Sequence, residues 1–290
     1  MVYLRSFCIP DQDMEDAFLG AQKRTCYPTK YPFHVFRYRN VPQIDFEPIT
    51  IFCGGNGSGK STLLNVLAEK LRLYRTAAYN RSPFFGDYVE RCVCEYTPGT
   101  AISNGRIITS DDVFDYLLHI RALNENLDDQ REKLLAEYKD VKYSNFRLRS
   151  LDDYEVLKRQ VDAQRKTASE YAKSRLMEAV PEHSNGESAL QYFTESIQDH
   201  ALYLLDEPEN SLSAQYQLEL KSFLQDSVRF FGCQFVISTH SPFLLSLEGA
   251  KIYDLDRDPP CVKAWTELES VQIYRKFFLD QNHAFKGGAV

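Results

Sequence analysis

Apolar positions along this chain switch between two periods. Ile49-Thr50-Ile51-Phe52-Cys53 is a short β-prone run closing a segment, Val35 to Cys53, that reads as strands. Leu63, Leu64, Val66, Leu67 and Leu71 then recur at helical spacing. Further short apolar runs at Ala201 to Leu205, Phe235 to Ser238 and Lys251 to Leu255 predict strands. Alternation of this kind, joined by right-handed crossovers, predicts a mostly parallel sheet and an α/β fold. From about Arg121 to Glu178 the pattern changes to a charged stretch, nearly free of Gly and Pro. There Leu134, Leu135, Tyr138, Leu157, Val161, Ala168 and Tyr171 predict two helices, with Ser144, Asn145, Ser150, Asp152 and Asp153 marking the turn between them. The expected organisation is a core built from residues 1–120 and 181–290, interrupted by a helical insertion at 121–180. No internal repeat at solenoid periods is present.

Composition narrows the class. At 290 residues and 43% hydrophobic content the chain can bury a sizeable core. Its longest apolar runs are far too short to span a bilayer. Acidic residues Asp11, Asp13, Glu15 and Asp16 follow the short segment Tyr3 to Ile9, so no secretory pattern is visible and a cytoplasmic, soluble protein is expected. The seven cysteines include no C-x-x-C pair, which points to ordinary reduced thiols rather than a zinc set. A formal net charge of -7 excludes a globally basic nucleic-acid surface and leaves room only for a local patch.

The chemistry lies at the ends of the predicted strands. Gly54-Gly55-Asn56-Gly57-Ser58-Gly59-Lys60-Ser61-Thr62 fits G-x-x-x-x-G-K-[ST] between a strand and a helix. In such a loop successive backbone N–H groups point at phosphate oxygens, Lys60 meets the β- and γ-phosphates and the Ser61 hydroxyl ligates Mg²⁺. The following helix adds its positive end to the same anion. Asp206 ends an apolar run and is expected at the carboxyl edge of the sheet, where it holds Mg²⁺ near Ser61. Glu207, one residue on, faces differently and suits a general base for attacking water. His240 follows another strand and is placed to reach a γ-phosphate or that water.

The ordered set Gly54 to Thr62, Ser184-Asn185-Gly186-Glu187-Ser188, Leu202 to Pro208, Glu209 to Ser213 and Ile237 to Pro242 resembles the ABC-type ATPase superfamily, over residues from about Val35 to Leu255. The resemblance implies a P-loop NTPase fold with ABC-type antiparallel strands, ATP and Mg²⁺ as cofactors, and an ATP-bound homodimer in which two protomers sandwich two nucleotides. It also implies that Ser184, Asn185 and Gly186 act in trans on the partner protomer's γ-phosphate, as a Ser hydroxyl and Gly N–H groups at a helix start suit an anion. Asn210, Ser211 and Leu212 match the segment that lies along the dimer interface. Glu187, where transporters usually carry Gln, makes the chain more similar to soluble chromosome-maintenance, recombination and break-repair ATPases, whose partners are DNA or proteins. Small stand-alone bacterial ATPases, some serving beside a nuclease in anti-phage systems, are similar in Gly249 to Tyr253 and Thr266-Glu267 as well.

One departure stands out. The family's loop glutamine should fall between the phosphate loop and the helical region, yet no Gln occurs between Gln43 and Gln130. Asp111, within Gly105 to Asp112, is the candidate substitute and a further candidate metal ligand. Lys139 to Arg175 carries a modest cationic excess that includes Lys142, Arg147, Arg149, Lys158, Arg159, Arg165 and Lys166, interleaved with Tyr143 and Phe146. It reads first as an ion-paired solvated face, with contacts to DNA or RNA as the alternative. Phe36 and Tyr38 suit either adenine stacking or the core. The expected function is an Mg-dependent ATPase that switches a partner effector, a nuclease being one candidate, or a nucleic-acid complex, with no membrane involved. A transporter's nucleotide-binding subunit and an ATP-gated scaffold with negligible hydrolysis are the alternatives.

Overall fold

A computed structural model describes residues 1–24, 26–100, 102, 104–144, 154–176 and 184–286. It divides into two compact units, one formed by Met1–Val113 with Asn185–Val290 and the other by Phe114–Ser184.

The first unit contains both sheets. Strand β1 (Leu4–Cys8) leads into α1 (Gln12–Ala21), whose first turn is capped by the Asp11 carboxylate accepting from Met14 N. After a long irregular excursion come β2 (Ile44–Asp45) and β3 (Ile49–Cys53), then α2 (Lys60–Leu71), α3 (Phe85–Arg91), β4 (Val93–Tyr96) and β5 (Arg106–Thr109). The expected strand character of Val35 to Tyr38 is not found. Turn bonds from Val35 N to Pro32 O and Arg39 N to Phe36 O close that stretch, which buries Phe33 and Phe36 without joining a ladder.

Helix α4 (Ser110–Lys142) starts in the first unit and continues into the second, which also holds α5 (Tyr154–Arg165) and α6 (Ala168–Lys173). The small core of that second unit is Tyr138, Ala163 and Tyr171, with the Tyr138 hydroxyl donating to Lys166 O at 2.8 Å. A Thr167–Glu170 capping box opens α6. Of the residues expected at its central turn, Asn145, Ser150, Asp152 and Asp153 lie outside the described residues, as do Phe146, Arg147 and Arg149 of the basic stretch.

The first unit resumes with α7 (Asn185–Ser196), β6 (Leu202–Asp206), α8 (Ala214–Phe231), β7 (Gln234–Ser238), α9 (Pro242–Leu245), β8 (Lys251–Asp254), β9 (Cys261–Lys263), α10 (Glu269–Asp280) and α11 (Asn282–Lys286). Strands β3, β6 and β7 are apolar runs, buried along nearly their whole length, as expected where a parallel sheet is covered on both faces. The six-stranded sheet runs β5-β6-β7-β3-β8-β9, parallel except for β8 with β9, and a separate antiparallel sheet runs β2-β1-β4. The sheets are tied by Gln234, which is fully buried. Its Oε1 accepts from Tyr3 N at 2.7 Å and Leu4 N at 2.9 Å, while its Nε2 donates to Leu4 O at 2.9 Å and Glu47 O at 3.3 Å. Parallel alignment brings the carboxyl ends of β3, β6 and β7 to one edge, where ligands bind in open α/β sheets.

Candidate functional site: a phosphate loop at the carboxyl edge of the sheet

Residues 54–59 leave β3 and turn into α2. Gly59 has φ +97°, and a Cβ there would lie 2.7 Å from the Phe36 ring, so glycine is required both for its backbone conformation and for the close approach of that ring. Phe36 is therefore a buried wall of the loop, while Tyr38 is exposed beneath the Arg37 guanidinium. Lys60 is buried at the start of α2, and its ammonium donates to Gly54 O at 2.8 Å and Gly55 O at 3.2 Å. Its charge thus lies folded over the loop that would hold the phosphates.

Two oppositely charged side chains that sequence reasoning missed hold this loop from outside. The Asp256 carboxylate accepts from Gly55 N with both oxygens, each at 2.8 Å. Arg39 Nη1 donates to Ser58 O at 2.7 Å and Leu255 O at 3.1 Å. The Tyr31 hydroxyl adds a bond to Thr62 Oγ1 at 3.1 Å. Nothing local in the sequence marks these residues, because their contacts span up to 216 positions.

Ser61, in the first turn of α2, meets Asp206 at the end of β6. Ser61 Oγ donates to Asp206 Oδ1 at 3.1 Å, and the Ser238 hydroxyl donates to the same oxygen. Burial pushes the Asp206 carboxyl up from its ordinary range, and the two hydroxyls pull it part of the way back. A hydroxyl and a carboxylate within bonding distance of each other form an all-oxygen donor pair of the kind Mg²⁺ prefers, so these residues fit the metal.

Glu207 follows with φ +50°, a left-handed conformation uncommon for a non-glycine residue. Its N–H donates to Ser238 O at 3.0 Å, fixing the turn against β7. The carboxylate accepts from Asn210 Nδ2 at 3.2 Å, and His240 Nε2 lies 3.4 Å from its other oxygen. Glu209 was also missed as an individual residue. Its Oε1 accepts from Thr239 Oγ1 at 2.7 Å, His240 N at 2.6 Å and Ser241 N at 3.1 Å, which sets the backbone that presents His240. Burial raises the Glu209 carboxyl, and these three donors oppose the rise.

A cavity of about 300 Å³ is lined by Val35, Asn56, Gly57, Gly59, Lys60, Ser61, Thr62 and Glu207. A neighbouring one of about 340 Å³ shares Ser61 and is lined also by Asp206, Asp111, Asn65 and Arg75. The structure thus brings the loop, Glu207, His240 and Asp206 together, and it places Asp111 in the adjoining cavity. Asp112, next to it, instead holds the chain: it accepts from Ala77 N at 3.0 Å and Thr109 N at 2.7 Å. Asn185 and Gly186 begin α7, with Ser184 directly before it, and neither Asn185 nor Gly186 lines these cavities.

The phosphate loop, the mostly parallel strand order and the carboxylates at the strand ends make up a P-loop architecture on an α/β sheet. A family described as an AAA domain matches residues 33–83. No curated protein matches. Among solved structures, an Smc head domain from Pyrococcus furiosus, with an extended coiled coil and bound to the C-terminal domain of ScpA, aligns at TM-score 0.46 and 14% identity, over 96% of this chain and 100% of that one. A dimeric ATP-binding cassette in a post-hydrolysis state, bound to ADP and Pi, aligns at TM-score 0.36 and 12% identity, over 78% and 90% of the two chains.

Proposed function

We propose that the protein is an Mg-dependent ATP hydrolase whose ATP-bound protomers close into a dimer and reopen after hydrolysis, switching a partner protein or a nucleic-acid complex. The observation that carries this reading is the cavity wall that joins Lys60, Ser61 and Thr62 to Glu207. Backbone N–H groups of residues 56–62 and the Lys60 ammonium bind the phosphates, the ammonium exchanging the Gly54 and Gly55 carbonyls for phosphate oxygens. Ser61 and Asp206 would hold Mg²⁺, which when bound neutralises charge on the phosphates. Glu207, oriented by Asn210 and beside His240, orients water and takes its proton, and the His240 ring faces the same region. By resemblance, Ser184, Asn185 and Gly186 of a second protomer complete the site, and Asp111 stands where the family's glutamine would act. DNA maintenance and anti-phage defence beside a nuclease are the settings that the resemblance suggests, in the cytoplasm. Among the described residues, no helix is long and apolar enough to cross a membrane.

Replacing Glu207 with Gln keeps its shape and removes the base. The variant should lose roughly 10²- to 10⁴-fold in turnover while still binding ATP, measured by phosphate release and by nucleotide titration. Hydrolysis at the wild-type rate would rule out the assignment.

A further inference from the structure

We propose that Arg39 and Asp256 are positioning residues for nucleotide binding, a two-point clamp that keeps the phosphate loop open in its anion-binding shape. The inference rests on the ATP-binding reading above. The two contacts fall on two residues of one short loop: Asp256 takes the Gly55 N–H with both carboxylate oxygens, and the Arg39 guanidinium takes the Ser58 carbonyl. Arg39 also donates to Leu255 O, so that the loop and the end of β8 share a single guanidinium.

Each half of the clamp is itself anchored. Leu255 N donates to Cys53 O at 2.8 Å, extending the β3–β8 ladder by one residue and delivering Asp256 beside Gly55. Asp256 N donates to Asp254 Oδ1, and Asp254, buried, is paired with Lys263 at 2.7 Å. Arg39 arrives on the excursion between β1 and β2, strands that pair directly with each other, so residues 9–43 leave the sheet and return to it. On that excursion Phe36 fills the space against Gly59 and Tyr31 bonds Thr62.

The chemistry explains why charged groups do this work. The Lys60 ammonium sits on the Gly54 and Gly55 carbonyls and draws them inward. Asp256 engages the N–H of the same Gly55, and Arg39 holds the Ser58 carbonyl outside the anion site. Charge-assisted bonds of this kind are about twice as strong as neutral ones, so the loop need not be reordered when phosphate arrives. Neither side chain lines the cavity that the loop encloses. The clamp therefore acts through the loop and is expected to set affinity rather than the chemical step.

The test uses the full chain and Mg-ATP. Asp256→Ala and Arg39→Ala should each raise the dissociation constant, read by calorimetric titration, by about tenfold or more, the worth of a hydrogen bond to a charged group. Turnover at saturating ATP should stay within about threefold, so the change appears in KM. Asp256→Asn and Arg39→Lys each keep part of the hydrogen bonding and should recover part of the affinity, with the nucleotide-free melting temperature near that of wild type. Because both residues hold one loop, the double variant should lose less than the product of the two single losses. Wild-type affinity in both alanine variants, or a fall in turnover with unchanged affinity, would overturn the clamp while leaving the ATPase reading intact. A wild-type protein that binds no Mg-ATP would remove the ATPase reading, and the clamp with it.

Discussion

Asp206 shows how a single residue is held in conflict with its own stability. Burial raises its folded-state pKa, so folding penalises the ionised form relative to the protonated one. The stabilisation belonging to that form is present at low pH and is lost as pH rises through the raised pKa, which leaves a penalised carboxylate at neutral pH. Asp206→Asn removes the charge and should raise the melting temperature of the nucleotide-free protein, by about 2–4 °C for a gain on the order of 1 kcal/mol. The same variant should lose the additional stabilisation that Mg²⁺ gives with ATP. A scan with and without Mg-ATP reads both, and a lower melting temperature without nucleotide would sink the argument. Glu209 is likewise a buried carboxylate raised by burial, and it gathers three donors on one oxygen. Glu209→Ala strands those donors and should cost roughly 1–3 kcal/mol in chemical denaturation and slow hydrolysis, with Glu209→Gln restoring most of both. Asp206, Glu207 and His240 were legible because each ends or closely follows an apolar run. Glu209 was not singled out, since its role depends on donors that converge from residues 239–241.

Among the elements, strands were legible where burial on both faces forces a continuous apolar run. Ile49–Cys53 is β3 as read, and the runs near 201–205, 235–238 and 251–255 became β6, β7 and β8 within a residue at either end. The excursion between β1 and β2 was misread for a physical reason: Val35, Phe36 and Tyr38 have strand-like side chains, but Pro32 and the left-handed His34 and Asn40 break the ladder around them. Helix α4 starts at Ser110, well before the change of composition near Arg121, because Asp112 ties its first turn to Ala77 and Thr109 through contacts that a one-dimensional pattern does not contain. Gln234 is the element-scale analogue, a polar residue opening an apolar strand whose side chain joins the two sheets. Gln234→Leu fills similar space yet leaves the Tyr3 and Leu4 N–H groups unpaired in the core. The expected loss is about 2–4 kcal/mol, at ~1–3 kcal/mol per orphaned group without full additivity. Urea denaturation measures it, and a change below about 0.5 kcal/mol would mean that the sheets are held together by apolar packing alone.

At the scale of the whole molecule, one chain carries the phosphate loop, the Ser61–Asp206 pair and Glu207, while Asn185 and Gly186 line neither cavity. Gly186 packs instead where a Cβ would lie 2.7 Å from the Tyr216 ring and 3.5 Å from Ser211 O. The start of α7 is therefore packed closely against Ser211 and Tyr216, and the proposed action in trans would present it to a second chain. A sandwich follows only if ATP supplies the missing link, since the net charge of -7 makes two copies repel at long range. Slowing hydrolysis should trap that state. Glu207→Gln protein measured by light scattering should have the 33.6 kDa protomer mass without nucleotide and twice that mass with Mg-ATP. Ser184→Arg on the same background should return the protein to protomer mass while leaving ATP bound, because a bulky cation in place of a small hydroxyl prevents closure. An unchanged protomer mass with ATP bound would rule out action in trans by Ser184 to Gly186. A doubled mass without nucleotide would place the association surface elsewhere and remove ATP as the switch. Doubling that needs both Mg²⁺ and ATP would tie dimerisation to the Ser61–Asp206 pair, whose hydrogen bond sets an all-oxygen donor pair beside the loop.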